Sequence, residues 1–183
     1  MKIIGVSGLA RSGKDTFFEM SVRMKSEYGK NIRRYAFADE LKKECDHYLI
    51  SEYGISAFSN DTDEKKIIRP HLVLYGTEKR NEDMNYWVNK VQEKIEKDKT
   101  SKAIFITDVR YENEINWIKS LNGINIHVER VGNKPPNEEE KKNDPLLKKM
   151  CNFRLRWNDF NKPTNKEDIT IPFGAKKIIN SIL

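Results

Sequence analysis

Nine residues, Gly8-Leu9-Ala10-Arg11-Ser12-Gly13-Lys14-Asp15-Thr16, constrain this chain more than any other stretch. They follow Lys2-Ile3-Ile4-Gly5-Val6-Ser7, a short β-branched run, and Lys14 opens a segment of helical periodicity, so the two glycines fall in a strand-to-helix turn. That is the setting a phosphate-binding loop requires. Gly8 and Gly13 let the backbone take unusual dihedrals and turn its N–H groups inward, the helix start adds partial positive charge, and Lys14 reaches the outer phosphates. Arg11, Ser12 and Thr16 complete the nucleotide-contacting set.

The residue after the loop Lys is ordinarily Ser or Thr, whose hydroxyl ligates magnesium; here it is Asp15, with Thr16 next. A carboxylate beside polyphosphate is repelled unless a divalent cation lies between them, so Asp15 is a candidate magnesium ligand, directly or through water. The alternative is a first-turn acid that complements the helix dipole. Both readings stand at this level.

At 183 residues the chain fits one domain with room for a sizeable core. No apolar run reaches membrane-spanning length, and the apolar residues of the amino terminus are taken up by the loop's strand, which argues against a cleaved signal. Cys45 and Cys151 lack metal-type spacing, so free thiols in a reducing cytoplasm are expected. The net charge of +6 is spread over lysines mixed with Asp, Glu and Asn. With no compact basic stripe interleaved with aromatics, small phosphorylated anions fit the charge better than nucleic acid.

Along the chain, helical periodicity runs from Lys14 to about Tyr28, with a stop at Gly29; Ile32 to Phe37 reads as a second strand. Asp39 then stands either at a strand's carboxyl edge, where open α/β sheets bind ligands, or as the N-cap of a helix over Glu40–Tyr53. Residues 54–66 read as a loop, with a helix from Pro70 to about Lys79 and another over Asn85–Asp98 carrying Trp87, Val88, Val91 and Ile95 on one face. Arg69 and Arg80 bracket the first of these. Ala103-Ile104-Phe105-Ile106-Thr107 is the most strand-like run, and Asp108 at its end makes a Walker B pattern that holds magnesium. Arg110 is placed to meet a phosphate. A helix over Glu112–Leu121 and a strand over Ile124–Val131 follow. Residues 132–144 are polar with two prolines and read as a mobile excursion, a lid in a phosphotransferase, entered beside Arg130. A helix is expected over Pro145–Phe160, a last strand at Ile169–Ile171, and a closing helix over Gly174–Leu183. His47, His71 and His127 have no partner at metal-ligand spacing and receive no role.

Strands alternating with helices imply a parallel sheet wrapped by helices, one α/β domain with a lid at about 132–160 and a helical insertion at about 54–100, whose end arginines are candidates to frame an acceptor pocket for a second phosphorylated ligand. Taken together, the loop ending Lys14-Asp15-Thr16, Ala36-Phe37-Ala38-Asp39 with Leu41-Lys42, Gly76-Thr77-Glu78 with Arg80 and Trp87, and Asp108-Val109-Arg110 with Asn113-Glu114 resemble the deoxynucleoside monophosphate kinases of tailed bacteriophages. The likeness spans roughly the first 130 residues. It implies a nucleoside monophosphate kinase-like P-loop fold with sheet order 2-3-1-4-5, ATP and magnesium as cofactors, and a deoxynucleoside monophosphate as acceptor. It further implies Asp39, Arg69, Arg80 and Trp87 on the acceptor side, with Asp108 and Arg110 near the transferring phosphate. Lys14, Arg110 and Arg130 are then the catalytic cations, and Asp15 and Asp108 the magnesium ligands. The chain departs from that family after Arg130, where Asn137-Glu138-Glu139-Glu140 stands in place of a His-containing signature, and Arg154 or Arg156 is the candidate to supply the lid's charge. Phosphomevalonate kinases are similar in having Asp after the loop Lys, so another small-molecule kinase is the first alternative; a nucleotide-dependent switch or ATPase is the second. A homodimer face could lie among the helices bearing Trp87, Trp117 and Trp157.

Overall fold

The computed structural model describes residues 1–25, 31–158 and 173–183. Its elements in chain order are β1 (Lys2–Ser7), α1 (Lys14–Met24), β2 (Ile32–Tyr35), α2 (Phe37–Tyr53), α3 (Thr62–Glu82), α4 (Tyr86–Lys97), β3 (Ala103–Val109), α5 (Glu112–Ser120), β4 (Ile124–Arg130), α6 (Glu138–Met150), β5 (Phe153–Trp157) and α7 (Phe173–Ile182). The chain divides into two compact units, residues 1–35 with 100–183, and residues 36–99.

The first unit is a five-stranded, all-parallel sheet in the order β2-β3-β1-β4-β5, the nucleoside monophosphate kinase-like P-loop fold that the family resemblance implies. β1 is buried along nearly its whole length because both faces are covered, which is why it reads as an unbroken apolar run rather than an alternating one. Ile4 and Val6 face a core shared with Phe17 and Met20 of α1 and Ile178, Ile179 and Ile182 of α7. Gly5, between them, faces the other way, where a Cβ would strike the side chain of Ile118 on α5. Strand order reverses at β1, whose neighbours are β3 and β4, so the loop leaving β1 opens at the sheet's switch point, where α/β sheets bind ligands.

Several expected boundaries shift. β5 takes residues from the middle of the expected Pro145–Phe160 helix, because Phe153, Leu155 and Trp157 alternate with Arg154 and Arg156 at the strand period of two. The expected mobile excursion over 132–144 gives way at Asn137, whose side chain accepts from the Glu140 amide and caps α6. α6 then continues through Pro145 to Met150. Expected stop Gly29 and the expected strand at 169–171 lie outside the described residues.

The second unit is three helices, α2, α3 and α4, and takes in the expected insertion together with α2. α3 starts at Thr62, inside the expected loop, because Asp61 caps it by accepting from the amides of Asp63 and Glu64. The helix runs straight through Pro70. Cys45 and Leu49 of α2 pack on Ile68 of α3, and Trp87 joins α4 to α3 by donating its indole N–H to the Gly76 carbonyl at 3.2 Å. Beneath this, Glu44 accepts from the hydroxyls of Tyr75 and Tyr86 and pairs with Lys90 at 2.9 Å. Burial works against its charge, yet these donors hold the carboxyl below its usual range. No helix among the described residues is long and apolar enough to cross a membrane.

Candidate functional site

Backbone conformation sets the loop first. Gly8 (φ 131°), Arg11 (φ 62°) and Gly13 (φ 95°) take positive φ, and left-handed residues of this kind let a loop turn amide N–H groups toward an anion, as the Ala10 amide does. Glycine is obligatory at both ends for space as well as for φ. A Cβ at Gly8 would lie 2.1 Å from the Val128 carbonyl oxygen, and one at Gly13 would lie 2.4 Å from the ring of Trp157. Arg11, a non-glycine residue in the left-handed region, marks stored strain at the loop's tip.

Trp157 is a part of the site that sequence reasoning missed. Buried on β5, it donates its indole N–H to the Ser12 carbonyl at 2.8 Å, fixing the loop from beneath. The signal was the alternation of β5, which puts Trp157 on the core face beside the loop. Asn133, just beyond β4, likewise holds the loop by donating to the Ala10 carbonyl at 2.8 Å.

Lys14 opens α1 from the left-handed cap of Gly13 and folds its ammonium back to the Gly8 and Leu9 carbonyls, each at 2.8 Å. Desolvation by burial, with the Arg110 guanidinium adding like-charge repulsion, pulls its pKa down to about 8; Glu140, Asp15 and Asp108 act in the opposite sense. Arg110, Glu140, Asp15 and Asp108 all therefore lie close enough to act electrostatically on Lys14. Asp15 is largely exposed and lies 3.5 Å from the Arg34 guanidinium. Ser12 is buried and Thr16 half-buried in the first turn of α1. Arg130, at the end of β4, directs Nη1 to the Arg11 carbonyl at 3.5 Å.

Arg110 leaves β3 on a backbone fixed by the buried Glu114, which reaches back from the first turn of α5 to accept from the amides of Arg110 (2.6 Å) and Tyr111 (3.1 Å). Its guanidinium then donates to Glu140 of α6. The other oxygen of Glu140 accepts from the loop amide of Ala10 at 2.7 Å. One internal carboxylate thus accepts from a loop amide and from Arg110 at once.

Two carboxylates, Asp15 and Asp108, sit near enough to Lys14 to raise its proton affinity, and no cluster of three or more His, Cys, Asp or Glu is poised for a metal among the described residues. That donor set suits magnesium, which keeps several waters and takes its remaining oxygens from nucleotide phosphates.

Beside the loop, a polar cavity of about 190 Å³ is lined by Ser12, His127, Arg130, Asp144 and Lys148, among others. His127 is buried, faces Ser7 Oγ at 3.1 Å, and is driven to a pKa of about 4 by desolvation and by Lys148, so it is neutral near pH 7.

The acceptor-side expectations fall in the helical unit. Asp39 lies in the first turn of α2, capped by Ala36 rather than capping it. Arg69 is exposed on α3. Arg80 bonds back to the Gly76 carbonyl of its own helix at 3.1 Å. Trp87 is only 2% exposed, with Tyr75 and Tyr86 at its edges, which makes it a packing residue of this unit rather than an exposed contact.

A family model described as phosphomevalonate kinase matches residues 6–123 of this chain. A phosphomevalonate kinase of Drosophila melanogaster is 25% identical over 123 residues, which cover 67% of this chain and 62% of the fly protein, so the match spans less than two thirds of that relative's length. Among solved structures, a shikimate kinase from Aquifex aeolicus aligns at 14% identity over 98% of this chain and 93% of its own, with a TM-score of 0.44. A shikimate kinase from Acinetobacter baumannii, in complex with shikimate, aligns at 11% identity over 100% of this chain and 90% of its own, with a TM-score of 0.43.

Proposed function

The chain belongs to the phosphomevalonate kinase family, and on that premise we propose that it transfers the terminal phosphoryl group of ATP to the phosphate of a small phosphorylated acceptor, phosphomevalonate in the first instance. The observation that carries this reading is that the family likeness takes in the phosphate loop, the helical unit and Asp108-Val109-Arg110 in one continuous stretch. The match thus takes in the helical unit, which we read as the acceptor side, along with the loop, and a bare nucleotide switch would not need that unit.

In the proposed reaction an oxygen of the acceptor phosphate forms a bond to the γ-phosphorus as the bond to the ADP oxygen breaks, giving a diphosphate product and ADP. Such transfer asks the protein for position and charge, not for a covalent intermediate. Loop amides and Lys14 would bind the ATP phosphates, and Arg110 would neutralise charge building on the transferring group. Asp15 and Asp108 would hold magnesium, which when bound supplies charge neutralisation across the phosphate oxygens.

The deoxynucleoside monophosphate reading keeps one specific support, the ordered set of short motifs from Ala36 to Trp87. A panel of phosphomevalonate, mevalonate, shikimate, and the deoxy- and ribonucleoside monophosphates, followed by ADP release, tests both. The proposal expects phosphomevalonate to raise ADP release at least tenfold over ATP alone. Stimulation by deoxynucleoside monophosphates alone would move the acceptor to that class, and ADP release indifferent to every acceptor would overturn the kinase reading.

A further inference from the structure

The first turn of α6 reaches the phosphate loop with a carboxylate. Glu140 is buried, at 7% exposure, and its two oxygens are shared between the Ala10 amide of the loop (2.7 Å) and the Arg110 guanidinium. An exposed Glu–Arg pair would need no explanation beyond surface electrostatics. This one differs because half of its hydrogen bonding goes to a backbone N–H of a concavity built to receive an oxyanion, and the same carboxylate acts on the Lys14 ammonium.

We propose that Glu140 is an internal surrogate for a nucleotide phosphate: in the ligand-free protein its carboxylate holds the loop amide and Arg110, and polyphosphate binding displaces it together with the first turn of α6. The inference rests on the phosphate-loop reading above and adds a competitor to it. A carboxylate carries one negative charge and two oxygens, whereas a terminal phosphate carries up to two charges and three oxygens, so phosphate is the stronger ligand for the same donors. Once phosphate is seated, the buried Glu140 carboxylate beside it would suffer like-charge repulsion, and the turn that carries it has to move.

Two further contacts bind that movement to the catalytic strand end. Tyr111 donates its hydroxyl to Glu139 at 2.5 Å, and Asn143, one helical turn beyond Glu139, donates to the Arg110 carbonyl at 3.2 Å. With Glu140 they form a latch of three contacts from α6 onto the segment between β3 and α5. Releasing Glu140 frees the Arg110 guanidinium for phosphate, so the latch couples occupancy of the loop to availability of the arginine.

The test is calorimetric titration of inorganic tripolyphosphate into the wild-type chain and the Glu140→Ala, Glu140→Gln and Lys14→Ala variants, at fixed low ionic strength, with folding checked by circular dichroism. Removing the competitor should tighten tripolyphosphate binding about tenfold or more in Glu140→Ala, and less in Glu140→Gln, which keeps an oxygen for the loop amide. Unchanged or weaker binding by both folded Glu140 variants would overturn the surrogate role while leaving the loop reading intact. Absence of binding by the wild-type chain would instead overturn the loop reading and this inference with it. Hydrogen exchange on the wild-type chain gives a readout that needs no substitution at Glu140: tripolyphosphate should speed exchange at the first turn of α6, and slowed or unchanged exchange there would contradict the displacement.

Discussion

In the proposed reaction Lys14 is the residue that meets the ATP phosphates, and its environment sets how it would respond to pH. In the ligand-free protein its ammonium is bonded to two loop carbonyls and its pKa is drawn down to about 8 by burial and by Arg110. Bound phosphates would return the amine to full protonation, so binding above pH 8 must take up a proton. Raising the pH through 8 removes the charge that phosphate needs, and tripolyphosphate affinity should then fall about tenfold per pH unit between roughly pH 8 and 10. Titration calorimetry in two buffers of different ionisation enthalpy measures this uptake directly. Lys14→Arg, charged throughout that range, should abolish both the uptake and the pH-dependent loss. The sign for stability is separate. A lysine whose folded pKa lies below its unfolded value costs stability below about pH 8, and the cost is relieved as the pH rises toward 10.5.

At the scale of elements, α3 shows a fold paying for a local rule it breaks. Pro70 has no N–H for the helical ladder, and its ring crowds the carbonyl four residues earlier, an interior penalty of about 3 kcal/mol. Pro70→Ala should restore the bond and raise the stability of the chain by about 1–2 kcal/mol in urea unfolding, since the freer unfolded state offsets part of the gain. A variant no more stable than the parent would show that α3 has already adapted around the proline. The same residue explains why this helix was half-legible. Proline normally marks a helix start, so the reading began at Pro70, whereas the Asp61 cap and the packing of Ile68 on α2 start the helix eight residues earlier, at Thr62. β5 was misread for a related reason. Phe153-Arg154-Leu155-Arg156-Trp157 is too short for its alternation to compete with the helical pattern preceding it, and only pairing with β4 settles it as a strand. The strand-loop-helix at Gly8–Thr16, by contrast, was readable in full, because glycine spacing and Lys14 specify local geometry without help from distant residues. Glu140 was not readable as a site residue, and Trp157 only through the alternation of β5, since what defines both is contact with the loop across 130 and 145 positions of sequence.

For the whole molecule, connection rules gave a parallel sheet but not the order of its strands. Strands alternating with helices lead to a parallel sheet with the phosphate loop leaving β1, whereas the order β2-β3-β1-β4-β5 came from the family resemblance, and its fifth strand is Phe153–Trp157. Sequence order does not identify the acceptor in the same way. The arginines and aromatics expected to greet it lie in the helical unit, where Arg80 and Trp87 are bonded to the chain's own Gly76. Family membership therefore bears on the acceptor more than any one of these side chains does. The central claim, that this loop serves phosphoryl transfer to another phosphate rather than to water, is tested most directly by phosphorus NMR of a reaction containing the chain, ATP, magnesium and phosphomevalonate. The account predicts that ADP signals and new diphosphate-ester signals grow in equal amounts, and that Lys14→Ala slows both on the order of 10²-fold. Growth of ADP with inorganic phosphate alone, at a rate the acceptor does not change, would contradict it.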